Sequence, residues 1–163
     1  MSSFFVRRLL PALLVVLLAG ALAPPPVAQA QGPTKAEARL HSLINSARAS
    51  RGLAKLRWHG RLADVAQYRS NDMVRRGYFA HPSRTAMARL LRANGVRWSR
   101  WAETLAWNSR RSALVSANYT FRQWRNSRVH WSILTSSRYN YVGIGLARTK
   151  SGRNIWTAVL IRA

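Results

Sequence analysis

Two histidines, a glutamate and a serine carry the side chains best suited to chemistry: His81, Glu103, Ser127 and His130. Two neutral imidazoles and a carboxylate suit zinc or a similar divalent ion, with water completing the shell. His81 and His130 are the candidate metal ligands, and zinc is the one cofactor considered. Without a metal, the same groups make a hydrogen-bonded polar cluster. A Ser127–His130–Glu103 relay also has the residue types of acyl transfer. Against it, residues spaced i, i+3 on one helix seldom reach triad geometry, and no oxyanion loop is legible. Glycoside hydrolysis needs two carboxylates about 5 to 10 Å apart. Only Asp64 and Asp72 are left to partner Glu103 in that chemistry. No catalytic residue is therefore assigned; His130, Glu103 and Ser127 are the candidates should there be one.

These residues need elements to position them. In W-R-N-S-R-V-H at 124–130, helical spacing would place Trp124, Ser127 and His130 on one face. A helix over 34–51 opens with Thr34 and Glu37 as a capping box and closes at Gly52. Leu53, Leu56 and Trp58 form an apolar connector. A second helix over 60–76 carries Leu62, Val65, Ala66 and Met73 as its buried stripe, with Gly77 as its stop. Asp64 and Asp72 on it read as solvated or arginine-paired. Pro82 forces His81 toward extended backbone and starts a third helix over 83–93. Alternation of Trp101, Glu103, Leu105 and Trp107 predicts a strand over 98–107. A carboxylate among those aromatics is costly unless paired, so Glu103 stands apart from the other acids. A fourth helix over 109–126 runs into a break near Ser127. Strands over 141–148 and 154–161 follow, joined by a turn at Lys150-Ser151-Gly152. His41 and His59 read as ordinary structural histidines.

Composition bounds the setting. The chain has 163 residues, enough for one domain. Residues 1–30 have the pattern of a signal peptide: Arg7 and Arg8, an apolar run from Leu9 to Ala23, and Ala28-Gln29-Ala30 as a cleavage site. That run is shorter than the roughly 20 residues a membrane span needs, and prolines interrupt the region. The mature domain is expected over 31–163, secreted or held at the cell envelope, with no transmembrane segment. It contains no cysteine and must rely on packing rather than disulfides. Lys and Arg number 27 against 4 acids. Without Arg7 and Arg8 the balance is 25 − 4 = +21. Such a surface attracts anionic cell-envelope polymers or lipid headgroups. No motif for specific nucleic-acid recognition is present.

Four motifs in order resemble the CAP superfamily, which holds cysteine-rich secretory, pathogenesis-related and bacterial SCP-like proteins. They are L-I-N-x-x-R-x-x-x-G-L-x-x-L at 43–56; Leu62, Ala66, Asp72 and Met73 followed by His81; A-E-T-L-A-W at 102–107; and W-x-x-S-x-x-H at 124–130 with V-G-I-G at 142–145. The resemblance implies an α+β fold, a three-layer α-β-α sandwich whose small, mostly antiparallel sheet is flanked by about four helices. It implies a cleft lined by His81, Glu103 and His130, with Ser127 standing where many members have a second glutamate. Ala102 and Thr104 depart from the family's usual Gly and Asn beside the glutamate. Some members bind zinc through the two histidines, and others bind sterols or lipids. The expected function is thus a non-enzymatic binding module. Its cleft would take a small amphipathic ligand or a divalent metal, and its basic surface would hold anionic envelope polymers. A cell-wall or peptide hydrolase using His130 and Glu103 is the alternative, as is an electrostatic polyanion-binding or antimicrobial protein.

Overall fold

The computed structural model describes residues 32–163; the expected signal peptide lies outside them. The elements in order are α1 (Lys35–Ala49), β1 (Arg57–Trp58), α2 (Gly60–Arg76), α3 (Arg84–Ala93), β2 (Arg100–Asn108), α4 (Ala113–Asn126), α5 (Arg128–Leu134), β3 (Tyr141–Arg148) and β4 (Asn154–Arg162). Side-chain chemistry sets the helix ends. Thr34 and Glu37 close a capping box at α1. The His59 ring accepts from Leu62 N at α2, and Gly77 ends that helix at φ +68°.

The sheet order is β1-β3-β4-β2. Pairing is antiparallel except between β1 and β3. The apolar connector at 53–58 therefore supplies an edge strand of two residues, because Trp58 pairs with Val142. Strand β2 forms the other edge, in register from Arg100 opposite Arg162 to Asn108 opposite Asn154.

Alternation along the strands divides the core into two layers. On one face, Val159 and Ile161 pack with Leu62, Val65 and Ala66 of α2 and with Met87 and Leu91 of α3. On the other, Val142, Ile144, Trp156 and Leu160 pack with Leu40 and Ile44 of α1, Trp124 of α4 and Leu134 of α5. Each fully buried Leu, Ile or Val contributes about 1.5 to 3 kcal/mol. The first face needs bare backbone in β3. A Cβ at Gly143 would lie 2.1 Å from the Leu62 carbonyl carbon, and one at Gly145 would lie 2.3 Å from Gln67 N. The glycines of V-G-I-G let α2 lie directly on the strand.

One expectation changes. Five helices lie among the described residues, and the break expected near Ser127 is extended backbone at φ −99° and ψ 114° that separates α4 from α5. Trp124, Ser127 and His130 consequently share no helix face. Trp124 is fully buried at the end of α4, while His130 is half-buried on the short α5.

Candidate functional site

The candidate site gathers around β2, the open edge of the sheet. Glu103 points to the α2 face, where its side chain is 1% exposed. Such a carboxylate must be paired or hydrogen-bonded, and both oxygens are. Arg69 donates from Nε to Oε1 at 3.0 Å. His81 meets Oε2 through Nδ1 at 2.8 Å. A carboxylate between a guanidinium and an imidazole is an acceptor, so Nδ1 carries the hydrogen and Nε2 of neutral His81 is left as the acceptor. The His81 side chain is 56% exposed, so this nitrogen can reach solvent.

Arg69 is the hub of this network. Beyond Glu103, its guanidinium donates to Tyr78 Oη at 2.6 Å and to Ala80 O at 2.7 Å. Burial opposes its charge, but the hydrogen bond and charge of Glu103, with those of Tyr78, outweigh burial and hold its pKa above the ordinary value. Tyr78 in turn donates to Asp72 Oδ2 at 2.7 Å. That bond, helped by Arg75 and Arg76, holds the Asp72 carboxyl below the usual range. Burial, then the bond to Asp72, pushes the Tyr78 hydroxyl up. The α2–α3 loop that carries His81 is thus tied to α2 through Tyr78 and Ala80.

His130 comes from the opposite layer. Burial lowers its pKa, and the charge of His81 lowers it further. Its helix is held by Arg48, whose Nη1 donates to Leu134 O and Ser136 O at 2.8 Å each. Ser127 stands at the N-cap of α5, but its hydroxyl makes no capping hydrogen bond. The structure thus joins His81 to Glu103 directly, while His130 makes no side-chain hydrogen bond to either among the described residues. It does not build the Ser127–His130–Glu103 relay: among the described residues no hydrogen bond joins His130 to Ser127 or to Glu103, whose oxygens meet Arg69 and His81.

The metal reading is tested by the donor set. Glu103 orients His81 and is not left free to ligate. Among the described residues, no group of three or more His, Cys, Asp or Glu is arranged to hold a metal ion. A resident zinc centre takes three or four protein ligands, so the residues present do not fit one.

The other candidates behave as expected. Asp64 is exposed, and Asp72 is paired with Arg75 and Arg76. His41 bonds with Asn45 and the Leu56 carbonyl, and His59 caps α2. Arg69 and Tyr78 were missed. The signal for Arg69 was present: it falls at helical spacing within the stripe of Leu62, Val65, Ala66 and Met73, where a charge demands a buried partner. Next to the network lies a hollow of about 660 Å³ between α2 and α3. Tyr68, Met87 and Leu90 line its apolar part, and Arg76 and Arg89 its charged part. It meets the network at Arg69, Asp72 and Tyr78, and neither His81 nor His130 lines it.

A small mixed sheet between helical layers, with paired His and Glu at its open edge, defines an SCP-like α-β-α domain. The chain belongs to the CAP family, the cysteine-rich secretory proteins, whose family profile matches residues 41–160. An uncharacterised membrane protein of Bacillus subtilis (strain 168), YlbC, is 32% identical over 117 residues, 71% of this chain and 32% of that protein. The chain therefore spans about a third of that relative's length. An extracellular SCP-domain protein of Bacillus anthracis str. Ames is similar at 26% identity, with a TM-score of 0.66 over 82% of this chain and 45% of that one. An outer surface protein of Borrelia burgdorferi shares the fold at 20% identity, TM-score 0.67, over 80% of this chain and 96% of that one. Among the described residues no helix is long and apolar enough to cross a membrane.

Proposed function

We propose that this protein is an exported, non-catalytic binding module that takes an anionic amphiphile in the groove between α2 and α3. The observation that carries this reading is the lining of the 660 Å³ hollow. Its size is in the range of small-molecule sites. Tyr68, Met87 and Leu90 offer a surface for an acyl chain, and the guanidinium of Arg89, with Arg76 beside it already paired to Asp72, suits a carboxylate or phosphate head. Arg69 and Tyr78 close one end, and the bonds from Arg69 to Tyr78 and Ala80 fix the loop that forms the wall. A binding role agrees with Glu103, whose oxygens are both engaged, and with Ser127, which has no histidine to activate it. The remaining positive surface holds the protein at anionic envelope polymers or lipid headgroups. The extracellular and outer-surface descriptions of the similar structures support the exported setting.

Calorimetric titration with laurate tests the groove. Wild type is expected to bind it. Ala86→Trp, at an exposed position on the groove wall, blocks the space without touching the core, and Arg89→Ala removes a head-group partner. Both should bind at least about tenfold more weakly. Equal binding by wild type and Ala86→Trp would place any lipid elsewhere.

A further inference from the structure

At the far end of β2 the edge strand presents Trp107, which is 44% exposed. The Arg153 guanidinium lies 4.3 Å from its ring centroid. Across a hollow of about 420 Å³ stands Tyr119 of α4, with Arg110 at 4.3 Å and Arg122 at 5.6 Å from its ring. Asn108, Ser109 and Gln123 complete the lining. Arg110, Arg111, Arg122, Arg148 and Arg153 form no ion pair among the described residues. The chain's four acids are all elsewhere. Glu37 caps α1, Asp64 is exposed on α2, and Asp72 and Glu103 belong to the network around Arg69.

This corner is held in place by its own hydrogen bonds. Asn108 is buried, and its Oδ1 accepts from Ser116 Oγ at 2.8 Å and from Arg110 N at 3.2 Å. Asn154 Nδ2 donates to Arg110 O at 2.7 Å, and Arg148 Nη1 donates to Arg111 O at 2.8 Å. Gln123 Nε2 donates to Trp107 O at 3.1 Å. The loop between β2 and α4 is therefore fixed before any ligand arrives, which lowers the entropy cost of binding. The Arg148 guanidinium is held by the Arg110 and Arg111 carbonyls, and among the described residues no carboxylate neutralises the arginines gathered here.

We propose that this corner is a subsite for an acidic sugar within an anionic glycan. The proposal rests on the envelope-polymer part of the reading above and gives it a location. The exposed indole offers an apolar surface for the C–H face of a sugar ring, with its polar edge toward water. The guanidinium forks match a carboxylate bidentately. A glycan suits the corner better than single-stranded nucleic acid. Base stacking uses open aromatic faces in succession, whereas this corner has one exposed ring, Trp107, with Tyr119 only partly exposed.

The test is tryptophan fluorescence and calorimetric titration with tetragalacturonate, with maltotetraose as the neutral control and tetrathymidylate as the nucleic-acid control. Trp107→Ala keeps every charge, and Trp107→Leu keeps more of the packing should the first variant be less stable. Arg153→Ala removes a charge beside Trp107. Arg97→Ala removes one beyond the opposite end of β2, roughly 25 Å away at 3.3 Å per residue. The proposal expects tetragalacturonate to bind and maltotetraose not to. It expects both Trp107 variants to bind about tenfold more weakly, and Arg153→Ala to lose more than Arg97→Ala. It is overturned if the Trp107 variants bind like wild type, if the two arginine variants lose equally, or if tetrathymidylate binds more tightly with the same dependence on Trp107. If wild type binds neither tetragalacturonate nor long polygalacturonate at low salt, the envelope-polymer reading itself falls. Binding of the long polymer that ignores Trp107 leaves that reading standing and removes only this site.

Discussion

His81 Nδ1 lies 2.8 Å from Glu103 Oε2, while the other oxygen of the same carboxylate is 3.0 Å from Arg69 Nε. Glu103 therefore joins a buried cation to an exposed imidazole. Losing its charge leaves Arg69, 5% exposed, without a counter-ion. Breaking a buried pair in this way costs about 3 to 5 kcal/mol. Glu103→Gln is expected to lower the unfolding free energy by about 3 kcal/mol or more, as read by urea denaturation. A loss below about 0.5 kcal/mol, the scale of neutral surface changes, would mean that Tyr78 and Ala80 suffice to hold Arg69.

The same engagement of Glu103 bears on zinc. With two imidazoles and no free carboxylate beside them, the purified protein should retain no stoichiometric zinc after dialysis, as measured by elemental analysis. Zinc titration should give the same weak heat for wild type and for the His81→Ala, His130→Ala double variant. A one-to-one complex lost in that variant would show that two imidazoles and water are enough here.

Ser127 gives a contrast between two N-caps. Its hydroxyl caps nothing, whereas Thr34 accepts from Glu37 N in a complete capping box. Thr34→Ala should cost about 1 kcal/mol, and Ser127→Ala less than about 0.5 kcal/mol. Thermal denaturation of the two variants compares them directly. Ser127→Ala should also leave laurate binding unchanged, since Ser127 does not line the groove.

Much of this was legible in the residues. Thr34 with Glu37, Pro82 after His81 and Asn94-Gly95 marked helix ends that the structure keeps. The period-2 pattern of 101, 103, 105 and 107 placed Glu103 on an inward face, and a buried carboxylate on a strand implied a partner. What pattern could not supply was the partner's identity. Arg69 lies on another element, 34 residues away, and one sequence offers many arginines to choose from. The two-residue β1 is too short to show any period, so it read as a connector. The break expected near Ser127 is present as extended backbone, but the turn of helix that resumes at Arg128 is too short for spacing to reveal. The groove between α2 and α3 arises from the spacing of two helices, which local spacing does not encode.

The V-G-I-G run tests how tightly α2 seats on the sheet. A Cβ at Gly143 would lie within 2.4 Å of backbone atoms of both Leu62 and Ala63. Backbone in the middle of a packed interface cannot yield as a flexible side chain can. Gly143→Ala is expected to cost about 3 kcal/mol or more, at or above the usual range for overpacking, or to prevent folding. Gly152→Ala serves as a comparison. Its Cβ meets only the Arg148 guanidinium at 3.3 Å, and its φ of +85° adds backbone strain. It should cost about 1 to 2 kcal/mol. A larger loss at Gly152 than at Gly143 in urea denaturation would contradict this account of the α2–β3 contact.

His130 makes stability depend on pH. Burial, and then the charge of His81, hold its pKa below the ordinary 6.5. In the unfolded chain the value returns to about 6.5. Between the two values the unfolded state binds more protons, so stability rises with pH across that window. The contribution is fully present above pH 6.5 and is lost as pH falls from there toward the folded pKa. Asp72 does not interfere, because its lowered carboxyl acts only below its ordinary 3.8. Urea denaturation at steps from pH 7.5 to 5 should show wild type losing stability. His130→Gln, which cannot gain the proton, should lose less over the same range. His81→Asn removes the second cause, so the His130 pKa should rise toward 6.5, as followed by the NMR shift of its ring protons. An unchanged shift would mean that burial alone governs His130 and that the two imidazoles do not sense each other.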